Sequence, residues 1–381
     1  MAKNSNFIIL CLTLFSLSLI SSITATNPEV SHILNHQHRK NHSKSKPEIG
    51  VYELKKGNIS IKVTNYGATI MSVILPDKNG KLADVVLGYD SPKDYVNDTT
   101  YFGALVGRVA NRIGGAKYTY EGVTYKLVPN EGKNILHGGP KGFSTVTWEV
   151  DQYYPKAPSP YIRFSYFSKD GEEGFPGNLK VKVAYKIVDE NHLSFTMTAK
   201  ALDKATPVNL AQHTYWNLGG HNSGNILAND VQIFGSQITP VNDQLIPTGK
   251  LEKVQGTPYD FLKSHAVGSK INELPKGYDI NYALDISNKT GPMNRVAIVK
   301  DKKSGRVMEL WANKPGVQFY TGNLLKHEKG KGGAVYGPHA GLALETQAFP
   351  DAVNHPNFPS VMVSPCEHYK HHMLYKFSTT S

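Results

Sequence analysis

Apolar and polar residues alternate with a period of two along much of this chain, and no window of a dozen residues carries a convincing helical period. Ile59, Ile61 and Val63 are separated by polar residues, the pattern of a strand with one face in a core. Residues 69–75 make a more continuous apolar strand. Residues 117–120 and 123–127, on either side of Glu121-Gly122, read as a hairpin. The turn Lys302-Lys303-Ser304-Gly305 joins 295–300 and 306–311 into a second one. Further strands are expected at 161–167, 180–188, 192–201, 317–320 and 342–346. With 34 Gly and 22 Pro as punctuation, the chain reads as all-β, a large antiparallel β-sandwich. Neither a linker nor an internal repeat interrupts residues 50–379, so 49–381 is expected to be a single domain.

The first 48 residues break the pattern. Lys3 precedes an apolar run from Phe7 to Ile20, and Ile23-Thr24-Ala25 resembles a small-residue cleavage site, so 1–25 reads as a secretory signal peptide. The run is shorter than the roughly 20 residues of a membrane span. No membrane span is expected after cleavage, and the product is expected to be secreted. Residues 26–48 form a polar leader; His32, His36, His38 and His42 have spacings that could ligate a metal on a helix, but a solvated tail is the simpler reading.

Composition adds a few bounds. Cys11 leaves with the signal, so Cys366 remains alone and stability must come from a large core. Asn41, Asn58, Asn97 and Asn288 begin N-x-[ST] sequons, compatible with surface glycosylation. The net charge of +11 falls to +10 on loss of Lys3, but the lysines are scattered without a basic stripe; no nucleic-acid partner is expected. No apolar surface stripe is evident, and a monomer is expected.

Motif searches prune the chemistry. There is no P-loop, H-E-x-x-H, paired C-x-x-C or G-x-S-x-G elbow. Residues 329–333 are Gly-rich but read as a loop. Cys366, His368, His371 and His372 resemble a ligand cluster, yet their alternation with Tyr369, Leu374, Tyr375 and Phe377 suggests a closing strand. Five stretches place unusual polar residues in apolar or Gly-rich settings. GRVANRIGG (107–115) holds Asn111 and Arg112, and a guanidinium can make several directed hydrogen bonds to sugar hydroxyls. NILHGG (134–139) holds His137 at a turn. NLAQHTYWNLGG (209–220) sets His213 beside Tyr215 and Trp216, aromatic faces suited to the C–H face of a pyranose. GYDINY (277–282) offers Asp279. GLALETQAFPDAVNHPNFPS (341–360) delivers Glu345 at the end of an apolar strand, where a carboxylate is costly unless hydrogen-bonded or kept for chemistry. Each alone has an ordinary structural reading: a core histidine, an edge ion pair, a turn aspartate, a strand-end salt bridge.

Together these motifs resemble the aldose 1-epimerases, also called galactose mutarotases, over nearly all of 50–379. GRVANRI, NxLHGG, HxYWNL, GYDxNY, GVQFYTGN and LETQxFPDAxNxPxFPS occur in the family's order. The resemblance implies a β-supersandwich that interconverts the α and β anomers of free aldoses such as glucose and galactose, without metal or cofactor. It also implies that Glu345 is the general base and His213 the general acid, with Arg112, His137, Asp279 and Gln318 at sugar-binding positions and Asn111 beside them. Two residues depart from the pattern: Gln212, where an Asn is expected, which could alter the sugar hydroxyls read, and Cys366, where a Gly is expected.

Mutarotation needs no nucleophile or metal. A base takes the proton of the C1 hydroxyl, an acid protonates the ring oxygen, the C1–O bond opens, and the aldehyde rotates before closing. Glu345 must then be ionised while His213 is protonated, with Arg112 expected to favour the first and a carboxylate such as Asp279 the second. Two rivals stand beside this reading: a hexose 6-phosphate epimerase, needing a basic cluster that the sequence does not reveal, and a non-catalytic sugar-binding protein, needing neither proton-transfer residue.

Overall fold

A computed structural model describes residues 47–286 and 292–380. The signal segment, the leader up to residue 46 and the sequons at Asn41 and Asn288 lie outside the described residues. The described residues belong to one unit, Lys46–Ser381. Asn58 and Asn97 are exposed.

The longest alternating segments build a nine-stranded antiparallel sheet. Its order is Glu149–Tyr154, Tyr161–Ser168, Leu179–Asp189, His192–Ala201, Tyr369–Thr379, Arg306–Ala312, Asn294–Lys300, Asp230–Ile233 and His265–Ala266. Along Leu179–Asp189 and His192–Ala201 every second side chain is buried, as a strand with one covered face requires. A six-stranded sheet runs Tyr215–Trp216, Leu342–Gln347, Gly316–Tyr320, Asp279–Ala283, Gln237–Ile238 and Glu252–Lys253. A four-stranded sheet joins Val51–Lys56, Ile59–Thr64, Thr69–Pro76 and Leu82–Asp84. The principal core draws on all three, with Leu342, Leu344 and Phe319 meeting Met373 and Tyr375, and Ile61 and Val73 completing it. Trp216 packs on Tyr375 and Phe377 at ring separations of 5.0 and 5.9 Å, bridging the two large sheets.

In the six-stranded sheet, Leu342–Gln347 and Gly316–Tyr320 are buried along their whole length. One face gives Leu344, Phe319 and Ile280 to the core. The register aligns Gln318 with Glu345, Asn281 with Gln318, and Asp279 with Tyr320. Alternation therefore gathers the polar residues on the opposite face, and a one-residue slip would send all of them into the core. Glu345 is not at the strand's end, since pairing continues to Gln347, opposite Gly316. The Gly-rich 329–333 is likewise more than a loop: Glu328–Lys329 pairs with Val335–Tyr336, and the buried Lys331 Nζ donates to Asp84 Oδ2 at 2.6 Å and to Met71 O at 2.9 Å.

Arg108 anchors the segment that carries Asn111 and Arg112. Its buried guanidinium donates to Pro176 O (2.9 Å), Gly177 O (3.0 Å), Thr206 Oγ1 (3.0 Å), Ser168 Oγ (2.5 Å) and Lys169 O (3.2 Å). Nearby, a Cβ on Gly138 would fall 2.0 Å from Gly107 O, so only glycine permits the two segments to meet. Arg108→Leu is expected to strand three carbonyls and cost ~3 kcal/mol or more of unfolding free energy. Denaturant melts of the variant measure it; a loss within ~0.5 kcal/mol would show that the anchor is dispensable.

Candidate active site

Seven side chains singled out in the sequence line one cavity of about 320 Å³: Asn111, Arg112, His137, His213, Asp279, Gln318 and Glu345. That volume lies at the small end for ligand pockets and suits a monosaccharide. A larger open groove of about 540 Å³ shares Thr99, Thr100 and Glu328 with it but contains neither Glu345 nor His213.

The sheet face supplies Glu345, Gln318 and Asp279. Gln318 Nε2 donates to Asp279 Oδ1 at 2.6 Å, and Gln347 Nε2 behind it donates to Gln318 Oε1 at 3.4 Å and Asn281 Oδ1 at 3.2 Å. His213 arrives on Ala211–His213, which pairs with Ala104–Val106. The opposite wall is built by Arg112–Ile113 pairing with Ile135–Leu136. Here His137 N–H donates to Asn111 O at 3.0 Å, and Asn111 N–H donates to His137 Nδ1 at 3.1 Å. Asn111 and His137 both take left-handed backbone, with φ of 60° and 52°, a conformation held by this reciprocal pair of bonds. Asp351 N–H donates to Arg112 O at 3.0 Å, tying the segment beyond Glu345 to the same wall.

His213 Nε2 lies 3.5 Å from Glu345 Oε1, and the two side chains are 6% and 2% exposed. Neither Glu345 Oε2 nor His213 Nδ1 has a hydrogen-bond partner, which a purely structural pair would ordinarily provide. Burial pushes the Glu345 carboxyl well up; the charge of Asp279 adds to this and Arg112 opposes it. Burial takes His213 down to about 4. The contact between them works against both shifts, because each charge favours the other. Asp279 is not the residue that holds a proton on His213, as the sequence suggested: it is engaged by Gln318 and stands 3.8 Å from Arg112 Nη1. Glu345 is the carboxylate beside the imidazole.

Atoms of His137, His213 and Glu345 come within 4.8 Å of one another, a set of ligand types found around zinc. The hydrogen bond from Asn111 N–H occupies the Nδ1 lone pair of His137 and leaves its neutral ring with hydrogen on Nε2. Burial, with the charges of His213 and Arg112, holds that ring well below the usual histidine range and thus neutral. His137 is thereby arranged to donate into the cavity and offers a cation no free lone pair.

Several contributors escaped the sequence. Glu131 receives both Arg112 Nε (2.6 Å) and Nη2 (2.8 Å), a fork that fixes the guanidinium plane. Burial works to lower the Arg112 pKa, but Glu131, Asp279 and Glu345 outweigh it and leave the group above its usual range. Nothing local marks Glu131; only the pairing of 112–113 with 135–136 brings it near. Tyr101 and Tyr320 join Tyr215 as aromatic walls, with Tyr101 4.8 Å from the His137 ring and 5.8 Å from that of His213. Trp216, expected beside the sugar, faces the core instead, because adjacent strand residues point to opposite sides. For the same reason Gln212 does not read a sugar. It is buried beneath His213, where its Nε2 donates to Gly103 O at 2.5 Å and its Oε1 accepts from Tyr185 Oη at 3.1 Å. Cys366 is exposed and outside the cavity lining.

Comparison with known proteins covers almost the same span. Residues 50–376 match the family aldose 1-epimerase. The galactose mutarotase of Bos taurus is 44% identical over 329 residues, covering 86% of this chain and 93% of that one. The aldose 1-epimerase of Escherichia coli (strain K12) is 34% identical over 332 residues, covering 84% and 93%. Among solved structures, an aldose epimerase homologue from C. elegans superposes with a TM-score of 0.82 at 28% identity, covering 88% of this chain and all of that one. Galactose 1-epimerase from Lactobacillus acidophilus gives 0.74 at 25%, with the same coverage.

Glu131→Ala removes the fork that orients Arg112. Monosaccharide affinity is expected to fall about tenfold, equivalent to ~1.4 kcal/mol, with the fold retained. Titration calorimetry of the variant measures it, and unchanged affinity would mean that Asp279 alone orients Arg112.

Proposed function

The chain belongs to the aldose 1-epimerase family and is an isomerase that interconverts the anomers of free aldoses; we propose that Glu345 and His213 carry its proton transfers. The observation that supports this most directly is a carboxylate and an imidazole, both buried, 3.5 Å apart on the wall of a cavity of sugar size. In the forward direction Glu345 takes the C1 hydroxyl proton as His213 protonates the ring oxygen, and the C1–O bond opens. Arg112, Asp279, Gln318 and the Nε2–H of His137 hold the remaining oxygens, so that C1 rather than the rest of the chain is free to turn. Closure on the other face reverses both transfers, leaving each residue in its starting state. Glucose and galactose are the proposed substrates.

The ionised pair and the neutral pair contain the same single proton, so the pH profile reports the two residues together. On the acid side the pair gains a second proton; on the alkaline side it loses its only one, and kcat/KM is expected to be bell-shaped. Glu345→Gln is expected to lower kcat by roughly 10²- to 10⁴-fold with sugar binding retained. In His213→Asn only the carboxyl remains. Since burial raises it, residual activity should climb with pH through a midpoint above the usual carboxylate range, and the alkaline limb should vanish. Polarimetry of freshly dissolved α-galactose across pH measures both variants. A Glu345→Gln enzyme at the parent rate, or an unchanged alkaline limb in His213→Asn, would reject the corresponding assignment.

We further read the chain as a secreted member of the family, on the strength of its apolar run 7–20 and the small residues ending at Ala25. Expression in a eukaryotic secretory host should deliver to the medium a protein beginning near residue 26. Retention in the cytosol with residues 1–25 intact would overturn this.

A further inference from the structure

The closing strand Tyr369–Thr379 carries a histidine that the proton transfers do not use. His371 is completely buried, and its ring lies between the two segments that deliver the acid and the base. Its Nδ1 is 3.1 Å from Leu210 O and its Nε2 is 2.8 Å from Thr346 Oγ1. A carbonyl only accepts, so Nδ1 carries the hydrogen; Nε2 therefore offers a lone pair, and the Thr346 hydroxyl donates to it. Thr346 directly follows Glu345 and points to the opposite side of the same strand. Leu210 stands three residues before His213. The same strand also holds the other backbone polar group of this residue, because Leu210 N–H donates to Tyr369 Oη at 3.0 Å.

Resting on the assignment of Glu345 and His213, we propose that His371 is a positioning residue for the reaction: one imidazole ties the Leu210 carbonyl to the Thr346 hydroxyl and so sets the separation of acid and base. In the neutral ring Nε2 has the lone pair that accepts the Thr346 hydroxyl hydrogen. Burial holds the ring well below the usual histidine range, the charges of Lys314 and His372 acting in the same direction. The strands that meet at this ring come from both large sheets, so the tie crosses the sandwich from behind the cavity. Misplacement of a reacting group by about 1 Å can cost on the order of 10²-fold in rate, which gives such a tie catalytic weight without contact to substrate.

The test compares Thr346→Val, Thr346→Ser and His371→Asn with the parent by polarimetry on α-galactose, with melting temperatures alongside. Thr346→Val preserves shape and removes only the hydroxyl. It is expected to lower kcat about tenfold, leave KM within about twofold, and move a limb of the pH profile, because the separation sets how strongly the pair couples. Thr346→Ser restores the donor and should restore both kcat and the limbs. His371→Asn keeps a donor for Leu210 O but does not reach Thr346, and combining it with Thr346→Val should add little to either change alone. Parent values of kcat and pH limbs in Thr346→Val and His371→Asn, with only the melting temperature lowered, would overturn the proposal and leave His371 a core residue. A parent enzyme that fails to accelerate mutarotation would reject the catalytic assignment on which the proposal rests.

Discussion

A carboxylate and an imidazole facing one another at 3.5 Å with almost no solvent are the constraint on which the rest of this structure depends. Burial opposes charge on both, raising the acid and lowering the base. Their proximity resists that, as does Arg112 on the carboxylate side. The proposed proton transfers rest on that balance, since a reversible isomerisation needs each group to take and give back a proton at similar cost. A more exposed pair would hold its charges firmly and exchange protons with water.

Such a pair requires rigid delivery. Glu345 comes from a strand buried on both faces, in register with Gln318, which is in register with Asn281. The same period of two sends Leu344, Phe319 and Ile280 into the core, so hydrophobic burial and site assembly are one event. The other wall has no broad sheet to support it. It relies on discrete polar anchors: the five bonds of Arg108, the reciprocal bonds of Asn111 and His137, and Asp351 on Arg112 O. His371 bonds to Thr346 and Leu210, on the segments that carry Glu345 and His213, from the far side, completing a frame in which few parts of the cavity can shift alone.

The two arginines of GRVANRI show where reading a sequence stops. Both lie in the same motif, four residues apart, and both are buried. Arg108 turns away to satisfy carbonyls of a neighbouring segment, while Arg112 turns into the cavity toward Glu131 and Asp279. Nothing in their immediate neighbours distinguishes them. Gln212 and Trp216 make the same point, since each stands beside a cavity residue and each faces the other way. Glu131 was invisible because its importance comes from a partner 19 positions earlier in the chain.

Strands, hairpins and the all-β class could be read directly from the chain, because alternation and turn chemistry are local properties; six of the seven proposed site residues stood out as polar residues in apolar or Gly-rich stretches, and Gln318 came only with the family resemblance. Tertiary structure decided which side of each strand faces the cavity, which charge stands beside which, and the Arg112–Glu131 fork. It also decided the neutral state of His137 and the tie through His371. Those depend on register and on groups brought together from distant segments, and desolvation, which pushes Glu345 up and His213 down, exists only once the surrounding sheets have closed.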